Sequence, residues 1–261
     1  MADGAAGMTG PMHGKVALIT GAGQGIGQGV ALAMAEAGAA VVVAGRTLDK
    51  VAETARQVTT RGGRALALAC DVKSAADLDA ALGQTVAEFG GLDVLVNTAQ
   101  EVPLGTLDDV TDEAFIAGFE SGPLATLRLM KRARPLLAAR GGGTIFNFCS
   151  SAGIRWDMSG YGAYAAVKQS IRALTRAAAA EWGRQGIRVL TIAPHAESPG
   201  LKWWVEHNPD EAEAFFRTIP LGRIGRLEHD IGRALVALCG PDMGYLTGAT
   251  IPLDGGQANF D

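Results

Sequence analysis

Short apolar stretches alternate with helical patterns along almost the whole chain, and this alternation limits the fold more than any other feature. KVALIT (15–20), AAVVVA (39–44), RALALA (64–69), LDVLVN (92–97), GTIFNF (143–148), IRVLTIA (187–193) and ATIPL (249–253) read as strands. They are too uniformly apolar to alternate between a wet and a dry face, so both faces must be covered. Between them lie helical patterns such as ALAMAEAG, DKVAETARQVTTRG and AADLDAALGQTVAEFG, with two longer ones around 112–137 and 161–183. Strand, helix, strand in repetition predicts a parallel sheet with right-handed crossovers and helices on both sides. The expected class is α/β, a doubly wound, seven-stranded parallel sheet in a single domain over residues 14–261. Residues 1–13 are expected to be a flexible N-terminal segment. The long irregular stretch 194–227 is the expected place for a substrate-binding lid.

Composition removes several alternatives. The 261 residues are 48% hydrophobic and 19% charged, enough to bury a large core. A formal net charge of -4 with no basic run gives no reason to expect a nucleic-acid partner. No apolar run approaches membrane-spanning length, and the opening MADGAAGMTGPMHG lacks the apolar centre of a signal peptide. Cys70, Cys149 and Cys239 are widely spaced and odd in number. They form neither a disulfide framework nor a CxxC metal pattern, and buried thiols in a reducing cytoplasm are expected, with no metal site.

The first strand runs straight into TGAGQGIG and then a helix, with Gly21, Gly25 and Gly27 in a GxxxGxG spacing. Glycines there let the backbone turn tightly and approach a pyrophosphate, whose charge then faces the helix N-terminus. A dinucleotide site is the implication. The second strand ends VVVAGRT, with Gly45 and Arg46 where such sites often carry an acid for the adenosine ribose. Without a carboxylate, a guanidinium can meet a 2′-phosphate in bidentate fashion. NADP(H) is therefore expected in preference to NAD(H).

Tyr164 and Lys168 in YGAYAAVKQS are four residues apart, so on a helix their side chains share one face. TGxxxGIG, Asp71-Val72 after the third strand, Asn97 after the fourth, serines after the fifth and YxxxK beyond them together resemble the short-chain dehydrogenase/reductase superfamily, which has a Rossmann-type fold. The resemblance runs from about residue 14 to YLTGATIPLDGG near the end. It implies that Tyr164 protonates a carbonyl oxygen as hydride arrives from the nicotinamide, and that Lys168 lowers the phenol pKa and bonds the nicotinamide ribose. It also implies cofactor contacts from Gly21, Gln24, Gly25, Ile26 and Gly27, from Arg46 and Thr47, from Asp71 and Val72, and from Asn97, Ala99, Pro194 and Ser198. The carbonyl-polarising serine is Ser150 if Asn147 sets the register, or Ser151 if the interval is counted back from Tyr164. Ser150 is preferred because strand register is stiffer than loop length. A homotetramer is implied as well, with a dimer as the smaller option.

The chain departs from that pattern in several places. The position of the family's fourth catalytic residue, an asparagine, holds Gly122 followed by Pro123, so water, Glu120 or Ser121 must take its part. The family's NNAG reads Asn97-Thr98-Ala99-Gln100, and the usual Pro-Gly reads Pro194-His195. Gln100 and His195 are expected to add polar groups beside the substrate, with His195 either a second acid–base group or a loop histidine bonded to backbone. Ser151, Trp156, Tyr161, Trp203 and Trp204 complete the expected pocket, with Met158, Phe215 and Phe216 nearby and Pro199-Gly200 as a hinge. The expected reaction is NADPH-dependent reduction of a ketone, bulky and cyclic or aryl. The alternatives are reduction of a cyclic imine and a non-catalytic cofactor-binding regulator.

Overall fold

The computed structural model describes residues 10–154, 159–197 and 199–258, with backbone alone at 199, 200 and 204. Among these, β1 (Val16–Thr20), β2 (Ala40–Gly45), β3 (Arg64–Ala69), β4 (Val94–Asn97), β5 (Gly143–Phe148), β6 (Ile187–Pro194) and β7 (Thr250–Leu253) form one sheet. Their order is β3-β2-β1-β4-β5-β6-β7, and all pairings are parallel. Strand order reverses between β1 and β4, which creates a crevice at their C-terminal ends where such sheets bind ligands.

The helices are α1 (Gly25–Glu36), α2 (Leu48–Thr60), α3 (Ala75–Phe89), α4 (Asp112–Phe119), α5 (Ala125–Ala139), α6 (Gly162–Trp182), α7 (Pro199–His207), α8 (Pro209–Arg217) and α9 (Arg233–Cys239). They cover both faces of the sheet, which is why the strands carry so few polar residues. Ala17 and Ile19 of β1 pack in one apolar layer with Val30, Met34, Ile231 and Leu235. Leu18, between them, faces the other layer with Leu78, Leu129, Met130 and Trp182. Each strand therefore buries both of its faces.

Three expectations need correction. The helical stretch around 112–137 is interrupted by a π-helical turn at Glu120–Leu124 that contains Pro123. Proline has no N–H to give an α-helical ladder, and a widened turn accommodates that loss. The 194–227 stretch is largely helical, since Pro209 stands at the start of α8 with Asp210 and Glu211 in its first turn. The flexible start expected over residues 1–13 is anchored from Gly10 onward. Met12 is buried, and its N–H donates to Ala37 O at 2.9 Å; residues 1–9 lie outside the described residues. No described helix is long and apolar enough to cross a membrane.

Asp93, just before β4, closes the N-terminal edge of the sheet. Its carboxylate accepts from Lys15 Nζ, from Val16 N–H and from Arg140, at 3.0–3.1 Å.

Candidate active site

A cavity of about 460 Å³ opens at the C-terminal ends of β1, β2, β4 and β5. One end is built by the turn from β1 into α1. Gly21 has φ +68, and a Cβ there would stand 2.8 Å from Ala99 N. At Gly27 an added Cβ would stand 2.5 Å from the carbonyl oxygen of Gly21. Only glycine allows strand, loop and helix to approach this closely. Gln24 precedes α1 in an extended conformation without capping its first turn, and that turn carries no acid. The backbone N–H groups there suit a pyrophosphate, so this end of the cavity fits the dinucleotide.

Arg46, Thr47, Asp71 and Val72, the residues expected to meet the adenosine, line the flank of the cavity beyond this turn. Two further residues there were not foreseen. Lys50, in the first turn of α2, donates to Gln24 at 3.0 Å and places a second cation near Arg46. Glu101 accepts from Arg46 at 2.7 Å and lies 3.0 Å from Lys73 Nζ. Lys50, four residues after Arg46, is legible as the next turn of the same helix start; Glu101, on a remote loop, is not.

Asn97 does not line the cavity, contrary to the contact expected of it. Register pairs it with Asn147 across β4 and β5, so the two amides lie side by side on one face. Asn97 donates to Asn147 Oδ1 at 2.8 Å, and Asn147 donates to Thr175 at 2.9 Å. Both polar side chains are thereby satisfied inside the sheet. Thr98 and Ala99 meet the cavity in place of Asn97.

At the other end stand Ser150, Tyr164, Lys168 and Pro194. Tyr164 and Lys168 project from successive turns of α6, and the ammonium lies 5.4 Å from the centre of the Tyr164 ring. Lys168 is 4% exposed, and Nζ donates to Phe148 O at 2.9 Å. Burial pushes its pKa down to about 8.

Burial pushes the Tyr164 phenol up to about 12, and the hydrogen bond with Ser150 opposes this only in part. Lys168 was expected to pull that pKa down. Its ammonium is turned to the Phe148 carbonyl, so with the protein's own groups desolvation dominates. Of the two candidate serines, Ser150 meets both Tyr164 and the cavity. Ser151 instead lies 3.4 Å from Gln257 Oε1 and does not line the cavity.

The outer pocket differs more from expectation. Trp203 is 59% exposed and stacks on His207 with ring centres 4.3 Å apart, away from the cavity. Tyr161 is 41% exposed, its ring centre 6.5 Å from that of Tyr164. His195 is half-buried and packs edge-on against Phe215 at 5.3 Å. Trp156, Met158, Ser198 and the Trp204 side chain lie outside the described residues. Glu120 is exposed, and Ser121 Oγ is committed to Ala117 O and Glu101 N–H, at 2.7 and 3.0 Å. Neither replaces a side chain at 122. Gln100, which does line the cavity, turns its amide towards that position.

Known proteins share this chain's sequence pattern and fold. A family model described as enoyl-(acyl carrier protein) reductase matches residues 21–258. A 12alpha-hydroxysteroid dehydrogenase from a Clostridium species is 39% identical over 256 residues, covering 95% of this chain and 98% of that protein. A 2,5-dichloro-2,5-cyclohexadiene-1,4-diol dehydrogenase from Sphingobium indicum is 32% identical, with 95% and 98% covered. The crystal structure of a short-chain type dehydrogenase/reductase from Mycobacterium marinum superposes with a TM-score of 0.84 at 33% identity, covering 94% and 96% of the two chains. The chain therefore belongs to the short-chain dehydrogenase/reductase family, as an oxidoreductase that uses a nicotinamide cofactor on hydroxyl or carbonyl groups.

Proposed function

We propose that the protein reduces a ketone borne on a bulky ring, with NADPH as the preferred cofactor. The observation that carries this reading is one cavity holding the Ser150–Tyr164 hydrogen bond, buried Lys168 and, at its far end, Arg46 and Lys50. The nicotinamide, when bound, supplies the hydride. Ser150 holds the carbonyl oxygen, and Tyr164 gives it a proton as the carbon is reduced. Lys168, whose ammonium rests on the Phe148 carbonyl, then returns a proton to Tyr164 through a bridging hydroxyl or water. A phenol held near 12 is in the protonated form that reduction uses, and an ammonium near 8 gives up protons readily at neutral pH.

Two cations beside the adenosine end, with no acid at the end of β2, support NADPH. Glu101 tempers this, because it competes for Arg46. The names of two relatives, a hydroxysteroid and a cyclohexadiene-diol dehydrogenase, support a ring-borne substrate.

Initial rates of NADPH and NADH oxidation against cyclic and aryl ketones and cyclic imines test the reading. Turnover is expected to prefer NADPH and to fall by roughly 10²–10⁴ in Tyr164→Phe. Ser150→Ala should lose roughly 10²–10³ at near-constant cofactor affinity, while Ser151→Ala stays near the parent rate. Tight cofactor binding without turnover on any compound would replace the reductase with a regulator, and faster imine turnover would change the substrate class. A homotetramer is part of the proposal. It is supported by an apolar groove across α4, the π-helical turn, α5 and α6, lined by Phe115, Ile116, Phe119, Leu124, Leu127 and Leu174. Light scattering that reads a monomer at micromolar concentration removes it.

A further inference from the structure

Position 122 is buried in the π-helical turn and has no side chain. A Cβ added there would stand 2.6 Å from Gln100 Oε1, 2.8 Å from Gln100 Nε2 and 2.9 Å from Val167 Cγ1. The space that a side chain at 122 would enter is thus filled by the Gln100 carboxamide, which reaches it from the loop after β4. Its orientation is fixed. Gln100 Nε2 donates to Gly118 O at 2.9 Å and to Glu101 O at 2.8 Å. Exchanging oxygen and nitrogen would set the amide oxygen against two carbonyls, so Nε2 belongs there. Both amide protons are used, and Oε1 is left buried with no hydrogen-bond partner among the described residues. Buried polar atoms of this kind are rarely left unsatisfied, so each calls for a donor. Gln100 lines the same cavity as Tyr164 and Lys168, and Val167, the neighbour of Lys168, packs against position 122.

We propose that Gln100 and Gly122 form one exchanged pair, in which Gln100 is a positioning residue for the proton path to Lys168. Gly122 leaves room for the carboxamide, and Oε1 accepts a hydrogen bond from the water that reprotonates Lys168. In each reduction Tyr164 gives one proton to the substrate oxygen and Lys168 gives one to Tyr164. The water gives one to Lys168 and takes one from solvent, so protons balance. The inference rests on the reductase reading for its chemistry but not for its packing.

The test is a double-mutant cycle of Gly122→Asn, Gln100→Gly and the two together, with Gln100→Met as an isolated loss of the acceptor. Gly122→Asn alone forces a side chain onto the carboxamide and should lower Tm by roughly 3–10 °C. The double variant should recover at least half of that loss and most of the turnover, because a carboxamide again occupies the volume. Gln100→Met should lower kcat about tenfold, with unchanged KM for NADPH and a shifted pH profile. Additive Tm changes overturn the pair whether or not the parent turns over. A parental kcat and pH profile in Gln100→Met overturn the proton path. A parent protein inactive on every compound overturns the reductase reading and with it the proton path, while the Tm cycle still decides the pair.

Discussion

Two charged side chains are buried equally at opposite ends of this sheet, and they are treated very differently. Asp93 at the N-terminal edge and Lys168 at the C-terminal end of β5 are each 4% exposed. Asp93 is saturated by two cations and a backbone N–H. Lys168 has one acceptor, Phe148 O, among the described residues. In the same cavity, Gln100 Oε1 is left without a donor among the described residues, and glycines bring backbone segments unusually close. Satisfied burial fixes structure. Unsatisfied burial leaves donors and acceptors for a ligand or a proton, at a cost in stability.

Substitution should separate the two ends. Asp93→Ala leaves the Val16 N–H without its carboxylate, while Lys15 and Arg140 can turn to water. A loss of roughly 2–4 kcal/mol is expected in denaturant unfolding. Lys168→Met should leave stability unchanged or raise it by up to about 3 kcal/mol, since it removes a desolvated ammonium, yet turnover should collapse. Equal destabilisation by both would end the contrast.

A smaller effect sharpens it. Lys168 gives up its proton near 8 in the folded state and near 10.5, its ordinary value, when unfolded. Between these the unfolded chain holds more protons, so the contribution of Lys168 to stability rises with pH. The thiols act oppositely as pH rises through their ordinary value of 9, because burial holds Cys70 and Cys149 near 11 and Cys239 near 12, but parent and variant share them and their effect cancels in the difference. From pH 8 to 9 the parent should therefore gain about 1 kcal/mol relative to Lys168→Met. Parallel curves over that interval would return Lys168 to an ordinary pKa.

The sheet was legible because each strand buries both faces and so writes an uninterrupted apolar run. Predicted and observed strands agree to within two residues at every end, as at 64–69 and 143–148. The Tyr164–Lys168 pair was legible because both residues belong to one helix, where spacing alone sets their shared face. The turn at Gly21–Gly27 was legible for a similar reason, being continuous in the chain. Asn97, Trp203 and Glu101 were not. Asn97 is drawn into the sheet by the register of β4 on β5, Trp203 turns outward onto His207, and Glu101 meets Arg46 across two separate loops.

By itself, then, the sequence determined the parallel architecture, the glycine-rich turn and the tyrosine–lysine helix, since each depends on periodicity or spacing within one segment. Only the tertiary structure decided which serine meets Tyr164, what fills the space at Gly122 and how far burial acts on the phenol. Those outcomes depend on how distant segments pack and on how much water that packing excludes, which no local pattern records.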